Sequence, residues 1–147
     1  MPARYFLDTN VFVYCFDRRD RRKQARAESL VGQALDDHVG IISTQVVQEF
    51  LNISTTKFAR PMNRNESRAY LDAVLSPLCE AFPTIALYRE ALDLRANLGY
   101  SFYDALIIAA ALEAGCSTLY SEDLQDGQTV RDLKIVNPFG KLVGKTG

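Results

Sequence analysis

Four acidic residues, Asp8, Glu49, Asp104 and Asp123, stand where a carboxylate could do chemistry. Asp8 interrupts an apolar run, "YFLDTNVFVYCF" at 5 to 16, in the company of Thr9 and Asn10. An unpaired charge buried in such a run is costly or has its pKa displaced, so something must be gained there. A strand end with a turn, in which Asp and Asn satisfy backbone N–H groups, is one explanation. Asp104 opens "ALIIAAALEAG", a helix apolar almost all round and therefore buried, whose first-turn N–H groups stabilise an anion. Capping alone would also account for it. Asp123 follows the strand "STLY" as Asp8 follows "YFL". Glu49 shares a polar helical line with Gln45, Asn52 and Thr56, which a solvated face would equally produce.

The chemistry follows if the four converge. Two unit charges 5 Å apart repel by about 3 kcal/mol at an effective dielectric of about 20, and four charges make six pairs. Such a cluster needs a hard divalent cation, protonation or a basic partner. Oxygen-only donors suit Mg²⁺ or Mn²⁺, and such ions activate water and stabilise the in-line transition state of a phosphodiester. Other site chemistries are poorly provided for. His38 is the sole histidine and no nucleophile elbow accompanies it, which speaks against a Ser–His–Asp triad. Cys15, Cys79 and Cys116 are odd in number and lack CxxC spacing, which argues against a disulfide framework or structural zinc and fits a reducing, cytoplasmic setting.

The elements that must position these acids alternate between strand and helix. Strands are expected at 4 to 7, 40 to 44, 84 to 87, 117 to 120 and 134 to 136. A helix over 18 to 38, capped by Asp17, carries the stripe Ala27, Leu30, Val31, Ala34 and Leu35. Ser43 or Thr44 caps a second helix to about Phe58. "NRNE" at 63 to 66 opens a third, to about Leu75. "YREALDLRANLG" is a fourth, stopped by Gly99, and "SFYD" caps the apolar helix that ends at Gly115. This alternation predicts an α/β fold with a central parallel β-sheet of four to five strands flanked by helices on both faces. In such a sheet, groups beyond the carboxyl ends of the strands face one crevice. A crossover helix runs antiparallel to its strands, so its N-terminus lies at that same edge. Asp104 therefore belongs beside Asp8 and Asp123, and Glu49, near the start of a helix leaving that edge, joins them.

At 147 residues the chain is expected to be one domain, with no apolar segment of membrane-spanning length and no secretory leader pattern at its start. The net charge of −1 conceals segregation. "RRDRRKQAR" at 18 to 26 carries six basic residues against one acidic, which leaves the remainder at −6. A helix start is an unfavourable place for positive charge, so Arg18, Arg19, Arg21 and Arg22 are candidates to hold phosphate groups at the crevice rim; a solvated face is the alternative. Tyr5, Tyr14, Phe102 and Tyr103 read as core.

"LDTNVFVY", "STQVVQEF", "SFYDALIIAAAL" and "LYSEDLQDGQ", in this order, resemble the PIN-domain ribonucleases over about residues 4 to 137, in particular the VapC-type toxins of bacterial toxin–antitoxin pairs. The resemblance implies a PIN-like fold over 1–137 with a tail at 138–147. It implies that Asp8, Glu49, Asp104 and Asp123 hold Mg²⁺ or Mn²⁺, that Asn10 and Ser121 support them, and that Asp126 is an additional acid. In many relatives the second acid of the last motif follows the first by two residues; here Asp126 follows Asp123 by three. The implied activity is endoribonuclease cleavage by metal-activated water. The implied partners are an RNA substrate, a second copy of the chain and a cognate antitoxin that blocks the acidic site. Two rivals remain: a phosphatase with a nucleophilic Asp, which would want an acid where Asn10 stands, and a non-catalytic PIN-fold binding module.

Overall fold

A computed structural model describes residues 3–140. Among these residues six strands form one sheet in the order β3-β2-β1-β4-β6-β5. The strands are β1 (Arg4–Leu7), β2 (Gly40–Ser43), β3 (Cys79–Ala81), β4 (Cys116–Tyr120), β5 (Thr129–Val130) and β6 (Leu133–Val136). Every pairing is parallel except the terminal β5–β6 hairpin. The helices are α1 (Thr9–Tyr14), α2 (Arg21–Asp37), α3 (Thr44–Thr56), α4 (Arg64–Tyr70), α5 (Ser76–Leu78), α6 (Ile85–Leu98) and α7 (Phe102–Glu113), with a π-helical turn at Leu71–Leu75 between α4 and α5. None of them is long and apolar enough to cross a membrane.

The chain lays β2 and β3 on one side of β1, then crosses back to place β4 on the other. The two strands that precede Asp8 and Asp123 are therefore direct neighbours, with Leu7 opposite Tyr120. The gap beyond their carboxyl ends is the switch point at which open α/β sheets bind ligands. Phe6, Leu7, Ile41, Ile42, Leu119 and Ile135 are fully buried on the two faces of this sheet. In α7, Ala105 to Ala111 are all buried, as the unbroken apolar character of that segment requires.

Several expected boundaries move, each for a local reason. Residues 84 to 87 are the entry to α6: the Thr84 hydroxyl accepts from Leu87 N at 3.0 Å, and Leu87, Ala91 and Leu94 form its buried stripe at helical spacing. The strand on that side is the short β3 instead. The long basic helix starts at Arg21 with Asp20 as its cap, because Asp17 is engaged by Arg19. The run after Asp8 holds a six-residue helix, α1, absent from the expected elements because apolar residues fill nearly every position. The sheet gains a sixth, antiparallel strand through a turn at Arg131, whose φ is 53°. Phe139 is buried and meets the Tyr14 ring edge-on at 4.7 Å between centroids, so the folded unit includes 138–140 of the expected tail. Residues 141–147 lie outside the described residues.

Gly40 begins β2 where α2 and β1 come together. A Cβ there would sit 2.6 Å from the Ala34 Cβ and 2.7 Å from the Tyr5 ring. The Tyr5 ring cannot easily retreat, because its hydroxyl donates to Asp37 at 2.7 Å. Gly40→Ala should therefore destabilise the fold by about 1–3 kcal/mol, the usual cost of overpacking. Denaturant midpoints check this, and an unchanged midpoint would mean that α2 is free to shift.

Candidate active site

Asp8 ends β1 and caps α1. Only 5% of its surface is exposed. One carboxylate oxygen accepts from Thr9 N at 2.7 Å and the other from the Ser121 hydroxyl at 2.7 Å. Ser121, itself fully buried after β4, also accepts from Asp123 N at 3.2 Å. A single hydroxyl thus joins the ends of β1 and β4. Asn10 makes the second cross-link: its amide donates to Asp123 Oδ2 at 3.1 Å, and its oxygen receives Glu122 N at 3.4 Å.

Glu49 reaches the same place from the second turn of α3. Thr9 Oγ1 donates to Glu49 Oε1 at 2.6 Å, and Gln45 Nε2 donates to Glu49 Oε2 at 3.0 Å. Gln45 Nε2 also donates to the Tyr103 carbonyl at 3.1 Å, which ties α3 to the start of α7. Because both neighbours of that nitrogen are acceptors, the amide orientation is settled and Gln45 Oε1 is left buried without a partner. Asp104 sits in the first turn of α7, where its backbone N–H donates to the Ser101 cap at 3.2 Å.

These acids border one cleft of about 550 Å³. Asp8, Glu49, Asp104 and Asp123 all line it, together with Asn10, while Ser121 lies buried just behind Asp8. Two acids that were not among the candidates, Asp17 and Glu122, line it as well. These two differ from the other four in one respect. Asp17 is gripped by Arg19, with Nε at 3.0 Å and Nη2 at 3.2 Å, and Glu122 is paired with Lys23 at 2.5 Å. Among the described residues no cation forms an ion pair with Asp8, Glu49, Asp104 or Asp123; their hydrogen-bond partners are hydroxyls, amides and backbone N–H groups.

Asp126 stays outside the cleft and accepts from Asn137 N at 2.8 Å, pinning the loop between β4 and β5 to the end of β6. Arg18, Arg21 and Arg22 are exposed; of the four arginines singled out in the sequence, Arg19 alone lines the cleft, and it is engaged by Asp17. Thr9 and Gln45, which orient Glu49, are not distinguishable as site residues by type. Gln45 carried a faint signal as the residue one helical turn before Glu49.

The electrostatics follow from burial. Loss of hydration pushes the Asp8 carboxyl up from an ordinary value near 3.8 to about 7. The hydrogen bonds from Ser121 and Thr9 oppose that rise, and the charges of Asp123 and Glu49 add to it. Asp104 is raised as well, first by burial, with Ser101 opposing and Asp123 and Glu49 reinforcing. Among the described residues no three acidic, histidine or cysteine side chains stand as a ready-made ligand cluster. The donor set nevertheless suits a hard divalent ion: oxygen ligands only, with neutral hydrogen-bond supports and no ion pair to a cation, Lys57 lining the cleft without pairing to any of the four.

An α/β domain with uncompensated carboxylates at its topological switch point defines an acidic-site class. The sequence pattern of the PIN domain matches residues 5–125, and the chain belongs to the PIN-domain family. Solved structures of the same fold include a toxin–antitoxin complex from Klebsiella pneumoniae, 20% identical, covering 91% of this chain and 97% of that one, with a TM-score of 0.65. Another is Mycobacterium tuberculosis VapC20, described as a sarcin–ricin loop cleaving toxin, 21% identical over 81% of this chain and 89% of that one, TM-score 0.62. A third is VapBC2 from Rickettsia felis bound to a promoter DNA fragment, 20% identical over 89% and 96% of the two chains, TM-score 0.60. At these identities the likeness bears on the fold. No curated protein matches the chain significantly.

The raised Asp8 pKa sets a sign for metal-free stability. Between about pH 4 and pH 7 the folded state holds a proton that the unfolded state has released, so stability falls as pH rises through that window. Asp104 contributes in the same direction. Asp8→Asn should flatten this slope and leave the metal-free protein at least as stable as the parent at pH 7.5. Urea midpoints against pH in EDTA measure it. A loss beyond about 2 kcal/mol at pH 7.5 would make Asp8 a structural carboxylate.

Proposed function

We propose that the protein is a metal-dependent endoribonuclease that hydrolyses RNA phosphodiester bonds and serves as the toxin of a type II toxin–antitoxin pair. One observation carries this reading: of the six acids around the cleft, the four that come from the ends of β1 and β4 and the starts of α3 and α7 form no ion pair with a cation among the described residues. The repulsions of Asp8 and of Asp104 with Asp123 and Glu49 are retained where a fold under selection for stability alone would pair such acids with cations. Asp8, Glu49, Asp104 and Asp123 would hold Mg²⁺ or Mn²⁺. Such an ion, when bound, lowers the pKa of water and neutralises charge at the phosphodiester. The chain's own part is orientation. Ser121 and Thr9 N fix Asp8, Thr9 Oγ1 and Gln45 fix both oxygens of Glu49, and Asn10 fixes Asp123.

The partners belong to the same proposal. Arg18, Arg21 and Arg22 face solvent beside the cleft-lining Asp17 and Arg19, and would meet RNA phosphates. The structure of like fold described as a toxin–antitoxin complex supports an antitoxin partner. A second copy of the chain would cover Phe82, Ile85, Tyr88, Leu92 and Tyr103, large apolar side chains exposed on and beside α6, Tyr103 standing outside the core in which its sequence context had placed it. Sedimentation at twice the chain mass is expected, and Leu92→Glu should return the protein to monomer.

The enzyme class is tested on total RNA with purified protein. EDTA and Asp104→Asn should each abolish cleavage, with Mn²⁺ restoring only the former. Arg→Gln changes at 18, 21 and 22 should raise KM more than they lower kcat. If a small reading frame adjoins this gene, co-expression of its product should suppress cleavage. Undiminished cleavage in EDTA would sink the metal mechanism, and a neighbour without effect would sink the toxin role.

A further inference from the structure

The fifth cleft acid, Glu122, is held at both carboxylate oxygens, and unlike the four it is held by a cation. Tyr14 OH donates to its Oε1 at 2.6 Å and Lys23 Nζ to its Oε2 at 2.5 Å, while Lys23 Nζ also donates to the Tyr14 hydroxyl at 3.2 Å. The pair is mostly shielded, with the Lys23 and Glu122 side chains 23% and 24% exposed. Phe139 closes one side, its ring edge-on to Tyr14. Lys23 is itself held in place, because its helix is capped by Asp20 and Gln24 Nε2 donates to the Cys15 carbonyl at 3.0 Å.

Glu122 lies between Ser121 and Asp123, which both serve the acidic site. Asn10 and Tyr14 are one helical turn apart on α1, so one face of that helix grips the backbone and the side chain of the same residue. Ser121 and Asp123 flank it in the bend that follows β4, where Asp123 N donates to the Ser121 hydroxyl at 3.2 Å. Were Glu122 released, its carboxylate would stand next to Asp123 in a cleft that already carries four unpaired acids, and the Asp123 backbone would lose its lateral anchor.

We infer that Lys23 and Tyr14, acting through Glu122, form a latch that positions Asp123 and withholds a competing carboxylate from the metal-binding set. Lys23 thereby leaves the RNA-facing basic run and becomes a positioning residue. The inference rests on the metal-dependent reading of the cleft, so one of its readouts is independent of metal.

The test uses the full chain with Lys23→Met, Lys23→Arg and the pair Lys23→Met with Glu122→Gln. Without divalent ions, amide exchange at Glu122 and Asp123 should accelerate in Lys23→Met and return close to the parent rate in the other two. Mn²⁺ affinity, read by electron paramagnetic resonance, and kcat should each fall about tenfold in Lys23→Met, the usual cost of losing a support behind a metal ligand. KM should stay within about twofold, because no phosphate contact is lost. The pair should recover most of the loss, since the amide introduced by Glu122→Gln keeps the Tyr14 hydrogen bond and leaves no unpaired charge. Unchanged exchange in Lys23→Met would overturn the latch. A raised KM shared by the pair would assign Lys23 to RNA and overturn it equally. If the parent binds no Mn²⁺, the metal reading fails while exchange still decides the latch. Should Lys23→Met not fold, Tyr14→Phe is expected to show a smaller loss of the same sign, and no loss would refute the proposal.

Discussion

A carboxylate held inside the core at the end of the central strand is the constraint on which the rest of the structure depends. Asp8 is nearly inaccessible to water, and its hydrogen bonds reach the first peptide of α1 and, through Ser121, the end of β4. Those two bonds oppose the loss of hydration, yet its pKa still stands near 7. The group is therefore poised between protonated and ionised forms at neutral pH. Its position obliges β1 and β4 to be neighbours in register, because one Ser121 hydroxyl must meet both Asp8 and the backbone of Asp123.

Around that point the protein sorts its acids by partner. Asp17 and Glu122 receive cations, whereas Asp8, Glu49, Asp104 and Asp123 receive only neutral donors. Neutral donors orient a carboxylate without cancelling its charge, so the repulsion among the ionised members persists. Thr9 and Gln45 show how closely this is controlled, since between them they engage both oxygens of Glu49. The same Gln45 amide ties to the Tyr103 carbonyl beside Asp104, so two acids from different helices share one support.

The basic run at 18 to 26 divides along the same lines. Arg19 and Lys23 neutralise cleft acids and Arg26 donates to the Pro138 carbonyl at 3.2 Å, which leaves Arg18, Arg21 and Arg22 in solvent. A run that reads as one electrostatic patch is thus half internal bracing. The bracing also incorporates residues 138–140 into the fold, through Arg26 and through Phe139 against Tyr14.

Much of this was legible in the sequence, because it is written in local pattern. Alternating strands and helices specify a mostly parallel sheet, and in such a sheet strand ends and helix starts share an edge, so Asp8, Asp104 and Asp123 were expected together. Glu49 followed from the helix that begins at Ser43. Local pattern misled where two signals compete: "TIAL" has strand composition, yet Thr84 caps a helix there, and α1 is hidden in a run that is apolar at nearly every position. What the sequence could not contain is the partner of each charge. Lys23 and Glu122 are 99 residues apart, as Thr9 is 40 from Glu49, and no local spacing connects them. Sequence alone placed Asp8, Glu49, Asp104 and Asp123 at one edge, since strand and helix ends are set by nearby residues, whereas Asp17 and Glu122 join the cleft, and Asp126 leaves it, only in the folded chain. Tertiary structure alone decided which of them stay unpaired, because a charge is compensated across space by whatever the packed chain brings beside it.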